Sequence, residues 1–111
     1  MRLQGKVAIV TGAAMGLGRG ISLCLAREGA DVVIADIAMD GARKTAEDVK
    51  ALGRKALAVE ADVSQPADAE KVVKETINTF GKVDILVNNA AGSRPRSSTV
   101  SQVSSNNLIN H

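Results

Sequence analysis

Apolar and polar positions come in alternating blocks along this chain. Residues 6–11 (KVAIVT) hold an unbroken apolar run over 7–10, the pattern of a parallel strand buried on both faces. Four glycines follow, Gly12, Gly16, Gly18 and Gly20. A helical segment then runs to Glu28, with Ile21, Cys24 and Leu25 on one face at i, i+3, i+4. Gly29 stands where a C-terminal cap glycine belongs. Residues 31–36 (DVVIAD) form a second buried-type strand. The spacing of Ala42, Ala46, Val49 and Leu52 predicts a second helix over 40–52, closed by Gly53. Residues 55–61 (KALAVEA) make a third strand. Ser64 is a suitable N-cap for a third helix, with Pro66 tolerated in its first turn. That helix carries Val72, Val73, Thr76, Ile77 and Phe80 and stops at Gly81. Residues 83–87 (VDILV) form a fourth strand, followed by Asn88, Asn89, Ala90, Ala91 and Gly92.

Strands alternating with amphipathic helices define an α/β fold with a parallel sheet and right-handed crossovers. The expected order is 3-2-1-4, which leaves the fourth strand as an open edge. An open apolar edge is a pairing hazard, so self-association through it is expected. At residue 93 the composition changes. Residues 93–111 are rich in Ser and Asn, with only Val100, Val103, Leu108 and Ile109 as large apolar side chains. A helix over 101–109 would be weak, because Ser and Asn compete for the backbone. The expected organisation is an ordered unit over 1–92 and a loosely ordered tail over 93–111.

Composition narrows the function classes. A chain of 111 residues is one domain. A complete doubly wound nucleotide fold needs two βαβαβ halves, and at ~30 residues per βαβ unit there is room for one. Phe80 is the only aromatic side chain, so the core must be aliphatic. Fourteen basic and 12 acidic residues leave a net charge of +2, with no basic stripe interleaved with aromatics for nucleic acid. No run of 18 apolar residues could span a membrane, and the apolar stretch over 7–10 is too short for a signal-peptide core. The single Cys24 makes no internal disulfide and reads as a packing residue. His111 has no metal-ligand companions. Arg94 and Arg96 read as solvated loop charge. Such a chain is expected to be soluble and cytoplasmic.

The chemistry is concentrated after the first strand. Thr11, Gly12, Ala13, Ala14, Met15, Gly16, Leu17 and Gly18 lie between a buried strand and an amphipathic helix. Glycines let the backbone turn tightly and approach a pyrophosphate. The helix N-terminus then offers free N–H groups and a positive dipole end. The spacing is Gly-x3-Gly-x-Gly rather than Gly-x-Gly-x-x-Gly. Asp36 ends the second strand, 18 positions after Gly18. A carboxylate there can accept from both ribose hydroxyls and would repel a 2′-phosphate, favouring NAD over NADP. Met15 and Ile37 supply no basic partner for such a phosphate.

These residues resemble the cofactor fingerprint of the short-chain dehydrogenase/reductase family. Thr11-Gly12-x3-Gly16-x-Gly18 is its glycine turn. Asp62 and Val63 resemble its adenine-contacting pair. Asn88, Asn89, Ala90 and Ala91 resemble its Asn-Asn-Ala-Gly element, with Ala91 in the usual Gly place. The resemblance covers residues 3–92 and implies a Rossmann-type doubly wound sheet, represented by its first four strands. It implies NAD as cofactor, NADP less so, and a small carbonyl or alcohol substrate for an intact parent. It also implies a cofactor contact set of Thr11, Gly12, Met15, Gly16, Leu17, Gly18, Asp36, Ile37, Asp62, Val63, Asn88, Asn89, Ala90 and Ala91. A valine at Gly18 is expected to abolish binding by steric exclusion.

The same family uses a Tyr-x3-Lys acid/base pair, in which an ammonium stabilises the phenolate. This sequence contains no Tyr. Asn107 is a candidate for the family's catalytic-site Asn. The expectation is therefore a truncated oxidoreductase chain that binds the dinucleotide and does not turn over alone. The alternative is a non-catalytic nucleotide-binding or interaction module derived from such an enzyme. A methyltransferase-type Rossmann protein would share the glycine loop and the acid, but not Asp62-Val63 or Asn88-Asn89-Ala90.

Overall fold

The computed structural model describes residues 2–89 and 99–102. Strands β1 (Val7–Thr11), β2 (Asp31–Asp36), β3 (Ala56–Glu60), β4 (Ile85–Asn88) and β5 (Thr99–Gln102) form one sheet, ordered β3-β2-β1-β4-β5. Helices α1 (Gly16–Arg27), α2 (Met39–Ala51) and α3 (Pro66–Phe80) connect the first four strands. Those four are parallel, as expected. β1 pairs with β2 from Val7↔Asp31 to Thr11↔Ala35 and with β4 from Ala8↔Ile85 to Val10↔Val87. β2 pairs with β3 from Val32↔Ala56 to Asp36↔Glu60.

The continuous apolar runs still obey a period of two. Ala8, Val10, Val32, Ile34, Ile85 and Val87 face α1 and α2, where they pack with Ala26, Ala42, Ala46 and Val49. Ile9, Val33, Ala35 and Val59 face the opposite way and pack with Val72 of α3. Every residue of β1 is buried, as befits a strand paired on both sides and covered on both faces. Burying a side chain such as Ile9 contributes about 1.5–3 kcal/mol.

The sheet does not end where the sequence pattern placed its edge. β5 pairs antiparallel with β4, from Ile85↔Gln102 to Asn88↔Thr99. β4 is therefore an interior strand, and its open edge is not a feature of this fold. The ten residues 89–98 between the two strands are fewer than the dozen or more a parallel crossover requires. The chain can only return in the opposite direction. Ser101 and Gln102 accordingly belong to a strand rather than to the start of a helix. The remainder of 93–111, Asn107 included, lies outside the described residues.

Helix faces differ from the expected stripes. The buried line of α1 is Gly18, Ser22 and Ala26, while Cys24 is exposed. Cys24 is thus not a packing residue. Small side chains let α1 sit close to the sheet, and Ile21, Leu23 and Leu25 flank the contact partly buried. Ser22 tolerates full burial because its Oγ donates to the Gly18 carbonyl at 2.9 Å. In α2 the buried set is Ala42, Thr45, Ala46 and Val49, and Leu52 is 42% exposed. In α3 only Val72 and Thr76 are fully buried. Ser64 does not cap α3. The N-cap is Gln65, without a side-chain cap bond, and Pro66 occupies the first turn.

Candidate functional site

The carboxyl ends of β1, β2, β3 and β4 converge at one rim of the sheet, where open α/β sheets place their ligands. Gly12 leaves β1 with φ 64°, and Gly16 opens α1 with φ 61°, values that non-glycine residues rarely adopt. The Gly12 N–H donates to the Ala35 carbonyl at 2.9 Å, so the turn stays tied to β2 as it leaves the strand. The N-cap of α1, Met15, makes no side-chain cap bond, and its first turn carries no acid. α2 and α3 carry Asp40 and Asp68 in that turn. The amino end of α1 therefore keeps unneutralised donors and a positive dipole end. Its chemistry fits the anionic bridge of a dinucleotide.

The turn is locked from behind by β4. The Thr11 hydroxyl lies 3.2 Å from Asn88 Oδ1 and 3.4 Å from the Val87 carbonyl, and accepts from the Asn89 N–H at 3.0 Å. Asn89 Nδ2 donates to the Gly12 carbonyl at 3.1 Å. Gly18 completes this contact. A Cβ there would stand 2.2 Å from the Gly12 carbonyl oxygen and 2.7 Å from Asn89 Nδ2. A larger residue at 18 would thus collide with the chain itself. A steric reason for glycine thus lies inside the protein, in close helix–strand packing.

Asp36 joins the turn to the β2–α2 connection. Its Oδ2 accepts from the Ala14 N–H at 3.0 Å and its Oδ1 from the Ala38 N–H at 2.9 Å. Each oxygen retains a second lone pair for a ligand hydroxyl. Asp36, Gly12, Ile37, Asp62, Val63 and Ser64 line one cavity of about 290 Å3. The Asp62 carboxylate accepts from the Ser64 hydroxyl at 2.6 Å and from the Ser64 N–H at 3.1 Å. These two bonds, the hydroxyl first, hold its pKa below the ordinary 3.8, against a small opposing effect of burial. The Ser64 turn therefore favours the charged form of Asp62.

Ile37 lines this cavity and is 66% exposed, and Met15 and Leu17, at the amino end of α1, are 71% and 61% exposed. Three of the four exposed large hydrophobics among the described residues thus follow the carboxyl ends of β1 and β2, the fourth being Leu52. That distribution suits contacts to a flat apolar surface. Of the residues singled out from sequence, Thr11, Gly12, Met15, Gly16, Leu17, Gly18, Asp36, Ile37, Asp62, Val63, Asn88 and Asn89 meet at this rim. Ala90, Ala91 and Asn107 lie outside the described residues. Sequence reasoning missed Ala14 and Ala38, whose backbones hold Asp36, and Ser64, which it placed on a helix cap. An Asp with Ser two positions on is an Asx-turn signal, which would have found Ser64.

Comparisons with known proteins agree with this layout. A family model described as short chain dehydrogenase matches residues 6–110. The chain is 41% identical over 96 residues to a 7alpha-hydroxysteroid dehydrogenase of Escherichia coli K12, covering 86% of this chain and 38% of that protein. It is 44% identical over 89 residues to an L-rhamnose 1-dehydrogenase (NAD(P)(+)) of a Sphingomonas species, covering 79% of this chain and 35% of that one. A crystal structure of a hydroxysteroid dehydrogenase from Escherichia coli superposes with a TM-score of 0.79 at 41% identity, over 86% of this chain and 40% of that one. The chain thus spans a little over a third of the length of the relatives it matches. With the sheet order, the glycine turn and these matches in agreement, the chain belongs to the short-chain dehydrogenase family of oxidoreductases.

Proposed function

We propose that this chain is the dinucleotide-binding part of an NAD-preferring dehydrogenase or reductase. The family uses nicotinamide dinucleotides. The observation that carries the preference is the Asp36 carboxylate, fixed by two backbone N–H groups at the edge of the 290 Å3 cavity. Its free lone pairs suit ribose hydroxyls, and its charge repels a 2′-phosphate. Neither Met15 nor Ile37 brings a cation to offset that repulsion.

The remaining roles follow from the same rim. Gly12, Gly16 and Gly18 form the pyrophosphate turn, and the amino end of α1 supplies donors and dipole. Thr11, through Asn88 and Asn89, keeps that turn from opening. Asp62, braced by Ser64, and Val63 flank the adenine, with Met15, Leu17 and Ile37 covering apolar surface. Asn88 lines the approach to the nicotinamide. A bound dinucleotide supplies the hydride chemistry. The proton donor or acceptor that the reaction also needs is a Tyr-Lys pair in this family, and these 111 residues contain no Tyr. The chain alone is expected to bind the cofactor and not to turn over. Its relatives act on a steroid and on a sugar, so the substrate is expected to be a small alcohol or carbonyl whose recognition does not reside in this part.

Thermal melting with added NADH tests this reading. Ligand at a hundred times its Kd adds about 2.7 kcal/mol of stability. The expected result is a saturable rise in melting temperature, larger with NADH than with NADPH. A melt indifferent to both would contradict it, and a response to S-adenosylmethionine alone would favour a methyltransferase-type site instead.

A further inference from the structure

Gly41 is the third residue of α2. It is absent from the positive-φ glycines, which are Gly5, Gly12, Gly16, Gly29, Gly53 and Gly81. Its backbone therefore gives no reason for glycine, and glycine inside a helix is unfavourable relative to alanine. Space gives the reason. A Cβ at 41 would lie 2.8 Å from the Ala14 carbonyl oxygen and 2.9 Å from Ala14 Cβ, well inside van der Waals contact. Both atoms belong to the residue whose N–H holds Asp36 Oδ2. Ala14 is itself 6% exposed, so it has little room to retreat. α2 is also held against α1, since Arg19 makes an ion pair with Asp48 and lies 3.4 Å from the Thr45 hydroxyl.

From this geometry we infer that Gly41 is a positioning residue for the cofactor site. Its missing side chain admits Ala14, and Ala14 in turn sets the place of the Asp36 carboxylate and the glycine turn. Positions 14 and 41 form a size-matched pair that has room for one methyl group. A methyl at 41 pushes Ala14 off Asp36 Oδ2, and the carboxylate loses one of its two backbone anchors. A methyl at 41 with none at 14 relieves the Cβ contact and gives the turn the freedom of glycine to absorb the carbonyl contact. The inference rests on the proposed dinucleotide role of Asp36.

The test is a double-variant cycle on the 111-residue chain, using Gly41→Ala, Ala14→Gly and both together. NADH and NADPH affinities and cofactor-free melting temperatures are measured for each. Contacting residues couple strongly in such cycles, so Gly41→Ala should weaken NADH binding about tenfold. The NADH-over-NADPH preference should fall with it, and the double variant should recover much of both. Val49→Ala, a buried change further along α2, should lower the melting temperature without altering the preference. Were Gly41→Ala not to fold, a folded, NADH-binding double variant would carry the same conclusion, and an unfolded one would refute it. Unchanged affinity and preference in Gly41→Ala would also refute it, as would strictly additive effects. Absence of NADH binding by the unsubstituted chain would instead count against the dinucleotide role, with the cofactor-free melting cycle still deciding whether positions 14 and 41 are matched.

Discussion

Single atoms decide the shape of this site. The 2.2 Å approach at Gly18 means that alanine there already forces the Gly12 carbonyl and Asn89 apart. Overpacking of this kind costs about 1–3 kcal/mol. Gly18→Ala should therefore lose NADH binding and lower the melting temperature together, whereas a ligand clash alone would spare stability; calorimetric melting of the free chain distinguishes the two. Asp62 gives a pH prediction. Its lowered pKa means the Asp62–Ser64 turn is favoured above the ordinary carboxylate value of 3.8 and loosens as pH falls through the lower native value. Ser64→Ala removes the larger cause, so the Asp62 carboxyl should titrate closer to 3.8, as followed by carbon NMR. An unmoved titration would show that the hydroxyl is not what lowers it.

At the scale of elements, strands were more legible than helix faces. β2 matches the strand expected over 31–36 to the residue, because a strand between two partners needs apolar side chains on both faces, here at 32–35. Helix α1 was harder. Its spacing of Ile21, Cys24 and Leu25 suggests one face, yet the sheet is met by Gly18, Ser22 and Ala26. Close approach selects small side chains, and a hydrophobicity pattern weights large ones. The consequence is measurable. Cys24→Ser should change stability by less than about 0.5 kcal/mol, because Cys24 is exposed. Ala26→Leu should destabilise by about 1–3 kcal/mol through overpacking. Denaturant melts of the two variants check both, and the reverse order would place the packing face elsewhere. The Gly41–Ala14 contact left no trace in the sequence at all. It joins residues 27 positions apart, through a clearance that no local pattern encodes.

For the whole molecule, one sheet of aliphatic strands divides the core in two, one part under α1 and α2 and the other under α3. The common rim of the glycine turn, Asp36, Asp62 and Asn88 was legible because each ends or follows a strand, and parallel strands bring their carboxyl ends together. The pairing of β4 with β5 was not legible, because it depends on a short connection and on a strand of only four residues, too few to set a clear pattern. Among the described residues no helix is long and apolar enough to cross a membrane, and no group of side chains could hold a metal ion. Asp36 is the group proposed to recognise the cofactor. Isothermal titration of NADH and NADPH into the chain and into Asp36→Arg tests it. Saturable binding that favours NADH is expected, with the preference shifting toward NADPH in the variant; a preference for NADPH in the unsubstituted chain, or one that Asp36→Arg leaves unmoved, would contradict that role.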